Sequence, residues 1–293
     1  MNQIREARRS FDRLFEWTIR VEYPAAATEL PEEGRQAFLD YYRNTPAPGD
    51  ERAIARLRRG MWRSDAGWVA RWLAGHAEAP ARRPRVLDAG SGFGTYSMLY
   101  AAAGAEVVVV DLRPDRLAAA AGRLDFCRRS LGMELPVRYE RADLTRTWTE
   151  DFDLVWVYNA LSHIDPLERF LEQVRLHLRP GGVLVVGDIN GAHAGHQRRL
   201  ARLREQVHQE YVAPDGSRHA YAVERTFAPA ELRHEIEAAG LRVVHHELFW
   251  GGLGVLPEPV YAGLLRPLQT RWWLGQGWAR RQVLVAGVAG GRG

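Results

Sequence analysis

The chain has 293 residues, 46% of them hydrophobic and 26% charged, with a net charge of +4. That is ample apolar material for a buried core and excludes a disordered chain. Its longest apolar runs, Val107–Val110 and Val283–Val288, fall well below the roughly 18 residues a membrane-spanning helix needs. The single cysteine, Cys127, excludes a disulfide framework and a cysteine-rich zinc site, leaving a plain thiol. The N-terminus is charged throughout and lacks the apolar core of a secretory signal, so a cytoplasmic protein is expected.

In chain order, residues 1–83 predict an N-terminal helical cap. Phe11, Leu14, Phe15 and Ile19 recur at three and four residues, the spacing of one helical face. Pro24, Pro31 and the turn at Pro46–Asp50 interrupt it, and a helical period resumes from Ala53 to Gly75 with Trp62, Trp68 and Trp72. Pro80–Pro84 marks a linker. From residue 84 to 293 short β-branched runs alternate with longer helical patterns, the grammar of crossover units on a mostly parallel sheet flanked by helices. Strands are predicted at Arg85–Ala89, Ala105–Asp111, Pro136–Glu140, Asp153–Tyr158 and Val183–Asp188, with a helix announced by Pro114 after the second. An insertion at about 191–227 is expected to form a lid, helical from His196 to Tyr211. A helix stopped at Gly240 is followed by a strand, and RQVLVAGVA near the end makes a last one. A tryptophan- and arginine-rich segment at about 250–280 predicts a second cap.

The chemistry concentrates in VLDAGSGFGTYS, Val86 to Ser97, where an apolar strand ends in Asp88 and enters a turn carrying Gly90, Gly92 and Gly94 before a helix. Glycines let the backbone turn tightly and approach a ligand, and the following helix offers unpaired amides and a positive dipole end. A dinucleotide fingerprint starting at Gly90 wants glycine at position 95, where this chain has Thr95. An acid just before the glycines instead suits a ligand with an ammonium group. The run Asp88 to Gly94 resembles the first motif of the class I, Rossmann-like S-adenosylmethionine-dependent methyltransferases, and four later segments resemble that family in order. The resemblance covers roughly 84–190. It implies a Rossmann-like α/β fold with a seven-stranded, mostly parallel sheet, and S-adenosylmethionine as cofactor with S-adenosylhomocysteine as product. It assigns Asp88, Gly90, Gly92 and Gly94 to the cofactor. Asp111 takes both ribose hydroxyls, a natural role for a carboxylate facing a vicinal diol, and Leu112 packs on adenine. Asp143 and Leu144 hold the adenine amine and its face, and Asn159 approaches the sulfonium end. LRPGGVLVVGD, Leu178 to Asp188, matches the family's turn into the fifth strand.

Methyl transfer is an in-line displacement at an activated carbon, so alignment and exclusion of water matter most. Oxygen and carbon acceptors must also lose a proton, and His163, in NALSHIDP just past the fourth strand, is the first candidate base. Asp188 and Asn190 are second candidates, with capping or turn roles the stronger expectation for both. His193, His196, His208 and His219 with Glu210 match no compact ligand spacing, so no metal is expected. All 40 basic residues are arginine and their pairs are interleaved with acids, which argues against a nucleic-acid partner. The fourth-strand sequence YNAL also lacks the D/N-P-P-Y pattern of many enzymes that methylate exocyclic or amide nitrogens. The expected acceptor is a small molecule: a secondary metabolite, quinone-like ring, sugar or lipid precursor. An RNA methyltransferase, a cofactor-binding protein repurposed for other chemistry and an NAD-dependent oxidoreductase are the alternatives. Peripheral membrane contact through 250–280 is a further expectation, with dimer contact or plain packing favoured.

Overall fold

In the computed structural model of the protein, residues 2–76, 82–202, 208–212, 218–222, 225–249, 255–269, 271 and 276–288 are described. The chain forms two compact units, Met1–Ala142 and Asp143–Gly293. Seven strands make one sheet in the order β3-β2-β1-β4-β5-β9-β8.

The first unit takes in the N-terminal helices together with the first three strands. Its elements are α1 (Asn2–Trp17), a π-helical turn (Thr18–Glu22), α2 (Tyr23–Glu29), α3 (Glu32–Tyr42), α4 (Glu51–Trp62), α5 (Asp65–His76), β1 (Arg85–Ala89), α6 (Thr95–Ala102), β2 (Glu106–Asp111), α7 (Pro114–Leu131) and β3 (Val137–Arg141). The period running from Ala53 to Gly75 is two helices with a corner at Arg63–Ser64. Gly67 is required there, since a Cβ on it would lie 2.2 Å from the Trp62 carbonyl oxygen. β1 and β2 are buried along nearly their whole length, which is why β2 reads as a continuous valine run and β1 carries Val86 and Leu87 side by side. They pair in parallel with Ala89 opposite Val110, so the turn leaving β1 and the carboxylate of Asp111 emerge at the same sheet edge. α7 begins with proline at its first position and ends on Gly132 in the left-handed region.

α3 packs on α7. Gly34 (φ +78°) brings the α3 backbone against α7, where a Cβ would fall 2.1 Å from the Asp115 carbonyl oxygen, and Gly122 opens a notch for the Pro31 ring. A buried cluster of Ala26, Leu30, Phe38, Phe93 and Ala119 joins α2 and α3 to the glycine turn and α7, with Tyr23 and Tyr42 packed against it.

The second unit holds β4 (Phe152–Tyr158), a 3-10 turn (Leu161–His163), α8 (Leu167–His177), β5 (Leu178–Ile189), α9 (Ala194–Arg202), β6 (His208–Val212), β7 (Arg218–Ala222), α10 (Pro229–Ala238), β8 (Leu241–Phe249), a helical stretch over 258–269 and β9 (Arg281–Val288). β4 and β5 are parallel, while β9 runs antiparallel to both β5 and β8. The helix expected from His196 to Tyr211 stops at Arg202, and β6 and β7 instead form an antiparallel pair. Backbone pairing with a second segment beat the weak helical period of a short polar stretch. β7 lies against the turn Leu161–His163. Residues 80 and 81 of the expected linker, and 250–254, 270 and 272–275 of the tryptophan-rich segment, lie outside the described residues.

Candidate cofactor and active site

In the first unit the structure brings together Asp88, the three glycines and Asp111. Gly90, Gly92 and Gly94 all have positive φ, 70°, 57° and 67°. The amide of Gly90 donates to Val110 O at 2.8 Å, tying the turn to β2. The amide of Gly92 donates to Asp111 Oδ2 at 2.9 Å and that of Arg113 to Asp111 Oδ1 at 2.9 Å. Each carboxylate oxygen therefore keeps a lone pair for a further donor. A Cβ at Gly92 would meet only the Arg116 guanidinium, 3.8 Å away. In the middle of the turn the Ser91 hydroxyl is buried with no hydrogen-bond partner. A buried hydroxyl left unmade in this way is costly, and a bound ligand is one way to complete it. Leu112, half-buried, follows Asp111 directly.

Asp88 is placed deeper than a surface carboxylate. It is 2% exposed, and the Ser97 hydroxyl of α6 donates to its Oδ2. Burial pushes its carboxyl up to about 7, the Ser97 bond opposes this, and the neighbouring charge of Asp111 adds to it. Burial also raises Asp111, against the pull of the Arg113 amide and the Arg116 guanidinium. Two acids at one turn, both disfavoured as anions, make an environment in which a cationic group is welcome.

In the second unit Asp143 Oδ1 accepts from the amide and hydroxyl of Thr145, at 2.9 and 2.7 Å, closing a turn. Leu144 beside it is 9% exposed. At the end of β4, Asn159 holds φ +49°, the one non-glycine with positive φ among the described residues. Asparagine tolerates that region better than most residues. Its amide donates to Gly187 O at 2.9 Å, and its Oδ1 accepts from Arg281 Nη1 at 3.1 Å. The Arg281 guanidinium also lies 4.4 Å from the Tyr158 ring centroid. His163 is exposed on the 3-10 turn, its amide donating to Ala160 O at 2.9 Å. Asp188 is 4% exposed. Asn190 is fully buried and committed to structure: its Nδ2 donates to Gln276 O and Ala279 O at 2.6 and 2.8 Å, and its Oδ1 accepts from the Ala192 amide at 2.9 Å. Among the described residues no three metal-ligating side chains lie together.

Ser91, Arg123 and Arg281 escaped the reading of the sequence. Ser91 sits inside the recognised motif with no pattern of its own. Arg123 interrupts the apolar face of α7 made by Leu117, Ala120, Leu124 and Cys127, and that interruption was the available signal. Arg281 opens a strand, where an arginine is unremarked.

A methyltransferase-domain family profile matches residues 87–184. A ubiquinone biosynthesis O-methyltransferase of Azorhizobium caulinodans is 27% identical over 164 residues, 56% of this chain and 61% of that protein. This chain thus spans about three fifths of that relative's length. Another ubiquinone biosynthesis O-methyltransferase, from Ruegeria pomeroyi, is 30% identical over 192 residues, 62% of this chain and 72% of that protein. Among solved structures, the glycopeptide N-methyltransferase MtfA complexed with sinefungin aligns at a TM-score of 0.50 and 15% identity, covering 78% of this chain and 87% of that one, a likeness of fold. With the motifs in order, the strand sequence matched and a relative similar over most of its own length, the chain belongs to the class I S-adenosylmethionine-dependent methyltransferases.

Proposed function

We propose that this chain transfers a methyl group from S-adenosylmethionine to an oxygen, carbon or nitrogen of a small-molecule acceptor, with an oxygen on a quinone-like ring the first acceptor to test. The observation that carries the reading is the glycine turn, with its unpartnered Ser91 hydroxyl beside an Asp111 carboxylate that keeps lone pairs to spare. The names of the ubiquinone biosynthesis relatives support the choice of ring.

When bound, the cofactor supplies a methyl carbon activated by a cationic sulfur. Asp111 would accept from the two ribose hydroxyls, Leu112 would cover the adenine, and the Ser91 hydroxyl would face the ligand from a turn whose glycines let the backbone come close, their amides being spent within the protein on Val110 O, Asp111 Oδ2 and Ser91 O. Asp88 would act from beneath, its charge favoured by a cationic ligand. Roles for Asp143, Leu144 and Asn159 rest on the family resemblance. His163 would take the proton that a hydroxyl acceptor loses as the methyl group arrives. Residues 191–227 and 250–280 are proposed to enclose the acceptor and 1–83 to serve as a cap. Val255, Val260 and Leu264, all exposed, suit an apolar acceptor or a passing lipid surface. No helix among the described residues is long and apolar enough to cross a membrane, and a cytoplasmic site of action is proposed.

Calorimetry with S-adenosylmethionine, S-adenosylhomocysteine and NAD tests the cofactor. Both adenosyl compounds are expected to bind and NAD to give no heat, and Asp111→Ala is expected to weaken binding at least tenfold, since hydrogen bonds to a charged group contribute about 1.5–3 kcal/mol each. An acceptor screen reading S-adenosylhomocysteine release then tests the reaction. Binding of NAD alone would remove the assignment.

A further inference from the structure

Arg123 of α7 is buried, its side chain 1% exposed, and its fork is fully engaged. Nε and Nη2 donate to the two oxygens of Glu22, itself 0% exposed, at 2.7 and 2.9 Å. Nη1 donates to the Phe93 carbonyl and, at 2.7 Å, to the Thr95 hydroxyl. Phe93 and Thr95 bracket Gly94, the left-handed residue that turns the chain into α6. The Thr95 hydroxyl is shared with Tyr42 of α3, and the rings of Phe38 and Tyr42 lie 5.0 and 5.7 Å from the guanidinium. One planar cation thus joins the π-helical turn and α3 to the glycine turn. Phe93 makes the same connection through apolar contact, with ring centroids 5.4 Å from Phe38 and 5.6 Å from Tyr41.

Stability alone accounts poorly for such a device. A buried ion pair contributes little net stability over an apolar replacement, because desolvation offsets the Coulomb gain. What a guanidinium supplies and an apolar side chain does not is directional registration of several segments at once. The segments registered here are the N-terminal stretch 18–42 and the glycine-turn backbone at Phe93, the residue next to Gly92.

We propose that Arg123 is a positioning residue for the cofactor turn, and that its bonds to Glu22, Phe93 and Thr95, together with the Tyr42 hydroxyl that meets it at Thr95, couple the seating of residues 18–42 to cofactor affinity. The proposal rests on the reading of the glycine turn as the S-adenosylmethionine site. Coupling of this kind is reciprocal: whatever residues 18–42 contribute to cofactor affinity, bound cofactor returns as stabilisation of those residues.

The test is amide hydrogen exchange on the full chain with and without saturating S-adenosylhomocysteine, together with its calorimetric Kd, for wild type and Tyr42→Phe. That variant removes one hydroxyl and leaves the buried ion pair intact, so it keeps the fold. In wild type, ligand is expected to slow exchange at 90–97 and also across 32–42. Tyr42→Phe is expected to weaken binding about threefold to tenfold, the worth of one hydrogen bond, and to lose the added protection across 32–42 while keeping it at 90–97. Protection confined to 90–97 in wild type, or an unchanged Kd in the variant, overturns the coupling and leaves the cofactor assignment standing. No binding of S-adenosylhomocysteine by wild type overturns both.

Discussion

The Asp88 carboxyl, closed off at the end of β1 with Ser97 as a donor, has its titration moved from an ordinary 3.8 to about 7, chiefly by burial. The folded chain therefore holds this proton more tightly than the unfolded chain, and the stability it contributes is present below about 4 and lost as pH rises through 7. His246 works the other way: burial lowers it to about 4 against the Gln282 bond, so its contribution is present above 6.5 and lost as pH falls toward 4. Between about 4 and 6.5 the two slopes oppose, and the wild-type profile is expected to be shallow. Asp88→Asn unmasks the histidine. In urea titrations of the unliganded protein the variant should match wild type near pH 4 and exceed it above pH 7 by about 4 kcal/mol, from three units at about 1.4 kcal/mol each. A constant difference across pH would remove Asp88 as the cause. At the exposed His163, replacement by alanine is expected to slow turnover about a hundredfold, a modest general-base contribution, with the Kd for S-adenosylhomocysteine unchanged. Normal turnover would take histidine out of the mechanism.

At the scale of elements, the docking of α2 and α3 on α7 depends on two glycines that make room for backbone and ring. Gly122 lies in the middle of α7, where alanine would ordinarily gain about 1 kcal/mol in helix propensity. A Cβ there lies 2.3 Å from Pro31 Cδ, an atom of a rigid ring that cannot swing aside. Overpacking of that kind costs about 1–3 kcal/mol, so the overlap wins. Gly122→Ala is expected to lower the urea midpoint, whereas Gly75→Ala, with nothing within 4 Å, is expected to raise it slightly. If both variants were stabilised, the close packing of Pro31 on α7 would be disproved. The elements of the second unit carry a different lesson. Residues 196–211 read as one helix, yet the described helix ends at Arg202 and residues 208–212 form a strand that pairs Gln209 with Tyr221 and Tyr211 with His219. Local period alone does not distinguish the two outcomes for so short and polar a segment; the partner strand decides.

Over the whole molecule the one cysteine is a natural reporter. Cys127 is fully buried in α7, and burial pushes its thiol up to about 12. The thiolate is the reactive form, so an aromatic disulfide reagent at pH 8 is expected to label the native protein only through unfolding. Saturating S-adenosylhomocysteine at a hundred times its Kd should then slow labelling about a hundredfold, the equivalent of about 2.7 kcal/mol. Rapid labelling of native protein would show that α7 opens locally. The sequence by itself determined the β1 strand, the glycine turn, the acid closing β2 and the proline start of α7. Each answers to a local rule: a left-handed φ needs glycine, a buried parallel strand needs a continuous apolar run, and a fixed φ suits a first helical turn. Only the tertiary structure decided that Arg123 meets Glu22, 101 residues away, and that Arg281 meets Asn159, 122 residues away. Such pairs are chosen by strand order and helix docking, and a local pattern carries no record of which distant segment will arrive beside it.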